Sequence, residues 1–196
     1  MKSLKILSLL IVCFMCLNFN GNNKPLKVII DAGHGGKDSG AIVNGISEKD
    51  ILFAISQKIK ENESDNIEII LLRKDDQFMS LKERVEKINS IQPDLLVSLH
   101  IDNIKMSNKS ITKAYLYKND YLKKSYYYAK TLLEELNSNE TEIDFANYYV
   151  LKVSNLPALN LTIGNMNNKE DFTFLNSEFG QNHISKQIIK GLQKTK

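Results

Sequence analysis

The sequence is short of the residues on which several classes of protein depend. Its 196 residues include no tryptophan, three prolines and two cysteines. Both cysteines, Cys13 and Cys16, lie near the amino terminus, so the rest of the chain has no thiol for a disulfide or for thiolate chemistry. A domain without these supports must be stabilised by its hydrophobic core, and the chain is long enough to form one.

A large excess of charge of either sign is also missing. The formal net charge is +3, and Lys2 and Lys5 supply two of these positive charges. The remainder is close to neutral, which gives no electrostatic indication of a nucleic-acid partner. Hydrophobic residues make up 42% of the chain and charged residues 25%, proportions that are typical of a globular protein.

No hydrophobic run reaches the length of about 20 residues that crosses a bilayer. The apolar run that comes nearest, Ile6–Leu17, follows the basic residues Lys2 and Lys5. A short apolar run behind a basic start is typical of a secretory signal. We therefore predict a signal segment over residues 1–20 and no other transmembrane segment, with an uncleaved membrane anchor as the alternative.

The cysteines of this segment and the residues that follow it carry weaker signals. Neither Cys13 nor Cys16 follows a small residue, so lipid anchoring is only weakly supported. Residues 21–26 are polar enough to form a linker. The remaining residues, 27–194, are predicted to form one domain.

Within this domain, the apolar residues alternate between the period of a strand and the period of a helix. Such alternation predicts an α/β fold: a single three-layer domain with a mostly parallel, twisted sheet flanked by helices. The predicted strands are 26–31, 67–73, 94–102, 112–117, 148–153 and 157–163, and the predicted helices are 48–61, 79–91, 121–137 and 171–194.

A glycine-rich loop follows the first predicted strand, in the stretch VIIDAGHGGKDSGA from Val28 to Ala41. The third residue after Gly36 is Ser39, so the loop does not match the dinucleotide-binding pattern G-x-G-x-x-G. Lys37 is followed by an aspartate rather than by serine or threonine, which also argues against a P-loop. The remaining hypotheses are a metal site or a tight turn.

Three residues are candidates for metal ligands. His34 follows the first strand and His100 lies near the end of the predicted strand 94–102. Because the carboxyl ends of parallel strands line one crevice, these two histidines are expected to approach each other. Glu48, in the first turn of the next helix, is a natural third ligand for a catalytic zinc site. From the spacing alone, ordinary hydrogen-bonded side chains remain the alternative.

Several blocks of the sequence, in order, resemble the zinc-dependent N-acetylmuramoyl-L-alanine amidases (amidase type 3). They are IIDAGHGGKDSGA, EKDILFAISQKI, LLRKDDQFMSLKERVEKIN, PDLLVSLHID, FANYYVLKVSNLPAL and NNKEDFTFL, and they run from about residue 27 to 194. The resemblance implies a cell-wall hydrolase that uses Zn²⁺ to cleave the amide between N-acetylmuramic acid and L-alanine in peptidoglycan. It also implies that His34, Glu48 and His100 bind the zinc. Such a protein is expected to be exported to the periplasm or cell envelope, and we expect a monomer.

One position departs from the family pattern. The family carries a catalytic Glu-x-Gly after a Pro-Ala pair, and alignment on Pro157 and Gly164 puts Thr162 at the position of the glutamate. Neither the hydroxyl of Thr162 nor the amide of Asn160 can accept a proton near pH 7. Loss of a general base or acid typically lowers a rate by about 10²–10⁴.

This substitution leaves three hypotheses. The first is a weakened amidase, in which another carboxylate enters the site; the nearest in sequence are Asp102, Glu170 and Asp171. The second is a non-catalytic, amidase-like envelope protein that binds zinc and cell-wall fragments. The third is a structural relative without a metal, which the presence of all three ligand residues disfavours. We take the weakened amidase as the main hypothesis and the binding protein as the alternative.

Other charged residues near these motifs are assigned supporting roles. A carboxylate bonded to the second nitrogen of a metal-bound imidazole fixes the orientation of the ring, and we expect Asp31 and Asp38 to do this for His34. The two arginines of the third block, Arg73 and Arg84, are expected to form structural ion pairs with Asp75 or Glu83, with contact to the substrate as the alternative.

Overall fold

The computed structural model describes residues 24–105, 110, 112–136 and 141–196. The predicted signal segment 1–20, both cysteines and the first part of the linker lie outside these residues, so the expectations about export and lipid anchoring stay predictions. Within the described part of the chain, no helix combines the length and the apolar character needed to cross a membrane.

The described residues form eight strands and six helices. The strands are β1 (Leu26–Ala32), β2 (Ile42–Val43), β3 (Ile46–Ser47), β4 (Ile67–Leu71), β5 (Leu95–Asp102), β6 (Thr112–Leu116), β7 (Thr141–Phe145) and β8 (Ala158–Asn165). The helices are α1 (Glu48–Glu61), α2 (Leu81–Ile91), α3 (Leu122–Leu136), α4 (Tyr149–Val153), α5 (Lys169–Leu175) and α6 (Glu178–Gln193).

Six of the strands form one sheet in the order β4-β1-β5-β8-β6-β7. The first four are parallel to one another, β6 runs antiparallel to β8, and β7 is parallel to β6. The short strands β2 and β3 pair separately as a hairpin between β1 and α1. The predicted α/β class, a three-layer domain with a mostly parallel sheet, is confirmed.

The two faces of the sheet are covered differently. One face packs its apolar residues against α1, α3 and α6, through side chains such as Ile55, Leu132 and Ile188. The opposite face is covered by α2 and by the short α4, whose Leu151 packs beside Ile29. The second cover is shorter, and it leaves the carboxyl half of β5 and β8 open on this face.

The helices form where the local sequence favours a helix and the same residues are buried on one side. In α1, Ile51, Ile55 and Ile59 recur at helical spacing and are buried on one side. Helix α2 begins with a capping box, in which the Ser80 side chain accepts from the Glu83 N–H and the Glu83 carboxylate accepts from the Ser80 N–H. This reciprocal pair satisfies two amides that a helix start otherwise leaves unbonded.

One prediction of secondary structure is wrong, and one strand was not predicted. Residues 148–153 form helix α4 instead of a strand, because burial of Val150 and Leu151 on one side of a single turn outweighs the strand propensity of a β-branched and aromatic stretch. Strand β7 is an additional edge strand with no predicted counterpart. The predicted helical character of residues 171–194 is confirmed; the stretch forms two helices, α5 and α6, and α6 begins with Ser177 as its N-cap.

Polar side chains occupy the open face at the end of the sheet. Along β5 and β8 every second residue is apolar and packs against α1, α3 and α6. The residues between them point to the opposite face, where the register places Ser98 beside Asn160 and His100 beside Thr162. This polar row is the floor of the candidate site.

Candidate metal centre

The structure brings together His34, Glu48 and His100. His34 lies in the loop after β1, Glu48 is the first residue of α1, and His100 lies near the end of β5. One nitrogen or oxygen from each side chain lies within 4.8 Å of those from the other two. The His34 Nε2 is 3.1 Å from one oxygen of Glu48, and the His100 Nδ1 is 3.4 Å from the other.

The Glu48 carboxylate is buried at the centre of this cluster, with a residue exposure of 4%. It accepts hydrogen bonds from the backbone N–H of Ala41, at 3.1 Å, and from that of Ile101, at 3.0 Å. Burial works to raise the pKa of this carboxyl, but hydrogen bonds from His100, His34 and the Ile101 N–H hold it well below its usual range. Glu48 is therefore an anion held in a fixed position.

His34 is held in place on both sides. Its backbone has a φ of 62°, in the left-handed region that a residue with a side chain rarely adopts. Its Nδ1 lies 3.0 Å from a carboxylate oxygen of Asp38, which leaves Nε2 to face Glu48. Burial opposes protonation of His34, but the carboxylates of Glu48 and Asp38 raise its pKa above the usual value. The expected orienting role of Asp38 is confirmed.

The expected contact between Asp31 and His34 is wrong. Asp31 forms a buried ion pair with Arg84 and accepts a hydrogen bond from the Ser98 hydroxyl at 3.3 Å. Arg84 in turn donates to the backbone carbonyl of His34. Asp31 thus acts on His34 indirectly: it fixes Arg84, and Arg84 in turn binds the His34 backbone. The predicted partner of Arg84, Glu83, instead serves the capping box of α2.

Arg73 also differs from its predicted role as half of an ion pair with Asp75. It is almost fully buried and donates to backbone carbonyls, at 3.0 Å to Ala32, 2.8 Å to Lys49 and 3.2 Å to Asp75. Ala32 lies just before the histidine loop, and Lys49 directly follows Glu48. Because the guanidinium fork spans several acceptors at once, Arg73 ties the segment that carries one candidate ligand to the segment that carries another.

The cluster leaves room for an ion of a kind that suits its donors. Two imidazoles and one carboxylate, with a fourth position open, are the donor set of a catalytic zinc site. Gly40 packs so closely that a Cβ there would lie 2.6 Å from a Glu48 carboxylate oxygen and 2.6 Å from the His34 ring. The chain thus keeps a side chain out of the space where these two groups face each other, and the residues present fit a bound Zn²⁺.

A cavity of about 330 Å³ opens beside the cluster. His34, Glu48 and His100 lie in its lining, and the polar row of β5 and β8 forms its floor. Its other wall is apolar and aromatic, from Leu81, Tyr148, Tyr149, Val150 and Leu151. The cluster therefore faces a space that is large enough for part of an extended substrate.

Thr162 lies in this cavity, beside His100 on the neighbouring strand. Its hydroxyl lies 3.5 Å from the side-chain oxygen of Asn160. Of the three acids that sequence made candidates for a replacement base, only Asp102 lines the cavity. Its carboxylate is 3.2 Å from the ammonium of Lys113. Asp171 instead accepts from the Asn165 N–H at 2.7 Å.

Sequence reasoning missed Tyr148 and Tyr149, which line the cavity, and Lys113, which is paired with Thr162 from the next strand. The two tyrosines were hidden by the prediction of a strand over 148–153. Lys113 was placed correctly in a strand, but the antiparallel pairing that sets it against Thr162 leaves no trace in the sequence. The sequence did not place the candidate bases; the structure puts Asp102 in the cavity lining, beyond a register irregularity that separates it from His100.

A substitution at Gly40 tests this packing. In Gly40→Ala, the new methyl group would displace His34 or Glu48, so zinc affinity should fall by at least about 10-fold, the lower end of what a displaced supporting group costs. Competition with a chromogenic chelator measures it. Gly45→Ala is the matched control, because Gly45 also has a positive φ, +80° against +64°, but a Cβ there meets nothing within 4 Å. Equal zinc affinity in both variants would contradict the close packing.

Comparison with known proteins relates this geometry to a family. Residues 28–194 match the family model for amidase type 3, described as N-acetylmuramoyl-L-alanine amidase. The chain is 33% identical over 171 residues to the uncharacterized protein YqiI of Bacillus subtilis, across 84% of this chain and 82% of that one. It is 30% identical over 174 residues to the N-acetylmuramoyl-L-alanine amidase LytC of the same organism, across 84% of this chain and 34% of LytC.

Solved structures give the same result. The catalytic domain of CwlV, an N-acetylmuramoyl-L-alanine amidase from Bacillus (Paenibacillus) polymyxa, superposes with a TM-score of 0.78 at 28% identity, across 86% of this chain and 97% of that one. An N-acetylmuramoyl-L-alanine amidase from Clostridium difficile 630 gives 0.80 at 27% identity, across 87% and 96%. Fold, cluster and sequence match agree, and the chain belongs to the amidase type 3 family of N-acetylmuramoyl-L-alanine amidases.

Proposed function

We propose that this protein is a zinc-dependent peptidoglycan hydrolase that cleaves the amide between N-acetylmuramic acid and L-alanine, at a rate lowered by Thr162. The observation that carries the proposal is the convergence of His34, Glu48 and His100 at one cavity. The similarity to amidases over residues 28–194 supplies the reaction and the substrate class.

His34, Glu48 and His100 are the residues that would hold the zinc. When bound, zinc supplies a Lewis acid that lowers the pKa of a water molecule to about 7. The protein prepares the ligands in advance, because Asp38 orients the ring of His34 and two backbone N–H groups orient the carboxylate of Glu48. Such supporting contacts reduce the rearrangement that binding requires.

The cavity wall suits a substrate that is partly sugar and partly peptide. Tyr148 and Tyr149 line the cavity and are each nearly half exposed, at 44% and 45%. Aromatic rings of this kind offer a flat apolar face together with a polar hydroxyl. We assign them to binding and orienting the glycan-linked peptide beside the three ligand residues.

Proton transfer is the step for which the site is poorly equipped. Cleavage of an amide needs a group that accepts a proton from water and one that delivers a proton to the leaving nitrogen. The hydroxyl of Thr162 can do neither efficiently near pH 7. Among the described residues that line the cavity, the acids are Glu48 and Asp102, and a carboxylate oxygen of Asp102 lies 3.2 Å from the ammonium of Lys113. A rate about 10²–10⁴ below that of a complete site follows.

The same observation favours a second candidate function. A cavity that has the metal cluster but holds Thr162 at the position of the family's glutamate suits a non-catalytic envelope protein that binds zinc and cell-wall fragments. Its distinguishing property is tight binding of muropeptides without release of product. For either function we propose export by the signal segment 1–20, action in the periplasm or cell envelope by the domain 27–194, and a monomer.

Hydrolysis of purified sacculi tests the main proposal. The zinc-loaded protein should slowly generate new L-alanine amino termini, because cleavage of this amide frees the alanine nitrogen, and removal of zinc with a chelator should stop it. End-group labelling followed by mass spectrometry measures both. New reducing sugar ends, or a rate that the chelator leaves unchanged, would contradict the proposed bond and metal. Muropeptide binding without any new amino terminus would select the alternative function.

Restoring the family residue tests the role of position 162. Thr162→Glu should raise the rate of sacculus hydrolysis, because it returns a proton-accepting group to the strand beside His100. The gain has an upper limit of about 10²–10⁴, the contribution of a general acid or base. Thr162→Gln, which has the same shape without the basic oxygen, is the control and should give no gain. If Thr162→Glu does not exceed the wild-type rate even when Asp102 and Lys113 are replaced as well, position 162 is not the limiting one.

A further inference from the structure

Three side chains from three adjacent strands lie side by side on one face of the sheet, and two of them, His100 and Thr162, line the cavity. In the register of the sheet, Thr162 of β8 lies beside His100 of β5 on one side and beside Lys113 of β6 on the other. Residues paired in this way point to the same face. Any longer side chain at position 162 therefore has two directions open to it, towards His100 or towards Lys113.

Lys113 reaches across β8 to Asp102. The two residues lie on strands that flank β8, yet the Lys113 Nζ is 3.2 Å from an Asp102 carboxylate oxygen. The side chains are largely buried, with exposures of 14% and 24%. The ion pair therefore crosses the sheet next to Thr162, which is compact and uncharged and leaves room for it.

The positive charge at this place is firmly held. Burial works against the ammonium, but contacts with Tyr115 and Asp102 raise the pKa of Lys113 above its usual value. The ammonium also lies 5.1 Å from the centroid of the Tyr115 ring, within the range of a cation–π interaction. Lys113 is thus a permanent cation beside the position where the family has a carboxylate.

We propose that Lys113 is a positioning residue for position 162, and that the Lys113–Asp102 ion pair occupies the sheet face beside this position, where the family has a glutamate. A carboxylate introduced at position 162 is drawn towards Lys113, directly opposite on β6, and away from His100. Opposite charges at directly paired positions of an antiparallel sheet attract each other. The replacement of the glutamate by Thr162 is then coupled to the presence of the ion pair between Lys113 and Asp102.

This inference rests on the proposed function for its consequence in catalysis, but its physical content is a coupling between side chains. The catalytic consequence and the coupling can each be measured in four proteins: wild type, Thr162→Glu, Asp102→Asn/Lys113→Met, and the triple variant. Removing both members of the ion pair together avoids leaving a buried charge without a partner.

Hydrolysis of sacculi gives the first readout. Thr162→Glu alone should raise the rate of hydrolysis by less than about 10-fold. In the triple variant the introduced carboxylate is free to turn to His100, so the rate should rise at least about 10-fold further, within the range of a general acid–base group. Equal rates in the single and triple variants, with both above wild type, would overturn the proposal. Lys130→Met, on the exposed surface of α3, is the control for a lost lysine and should leave the gain of Thr162→Glu unchanged.

Thermal unfolding of the metal-free proteins gives a second readout that does not depend on activity. Because Lys113 compensates the new charge, Thr162→Glu should lower Tm by at least about 2–4 °C more in the Asp102→Asn/Lys113→Met background than in wild type, the shift expected for about 1 kcal/mol in a chain of this size. The same decrease in both backgrounds would overturn the coupling. If none of the four proteins hydrolyses sacculi, the proposed function fails, and the unfolding cycle still decides the role of Lys113.

Discussion

The buried carboxylate of Glu48 is the constraint on which the site depends. An anion taken out of water is costly unless charges and hydrogen bonds compensate it. Here two backbone N–H groups donate to it and two imidazoles lie against it, His34 on one side and His100 on the other. His34 and Ala41 come from the stretch between β1 and α1, and His100 and Ile101 come from β5. The carboxylate, which opens α1, can therefore be satisfied only when that stretch, α1 and β5 meet at one place. Metal binding and folding therefore place the same demands on this part of the chain.

Two buried arginines hold the loop and the neighbouring segments in position by hydrogen bonds to backbone carbonyls. Arg84, fixed by Asp31, binds the carbonyl of His34, and Arg73 binds carbonyls on both sides of the cluster. A loop rich in glycine loses much conformational freedom on folding, and a left-handed histidine adds strain. Bonds to its carbonyls offset these costs, which explains why both arginines bond to backbone rather than only to acids. The guanidinium group suits this role because it spans several acceptors in fixed geometry.

The sequence predicts the parts of this arrangement that follow a period or a motif. The α/β class, the strands that carry His100 and Thr162, and the helix that Glu48 opens follow from periodicity, and the family blocks bring the three ligand residues together. What the sequence does not reveal depends on contacts between distant segments. Helix α4 forms because Val150 and Leu151 are buried in the core that covers this face of the sheet. The acceptors of Arg73 come close to it only in the folded chain. The pairing of Lys113 with Thr162 requires knowledge that β6 runs antiparallel beside β8.

Under the proposed function, His34, Glu48 and His100 are the metal ligands and Thr162 is the altered acid–base position. The central claim is that His34, Glu48 and His100 bind one zinc ion, and the zinc content of the purified protein tests it most directly. After dialysis against zinc and then against metal-free buffer, atomic absorption should find one zinc per wild-type chain and much less than one in folded His34→Ala. A His34→Ala protein that retains stoichiometric zinc would contradict the assignment of these ligands.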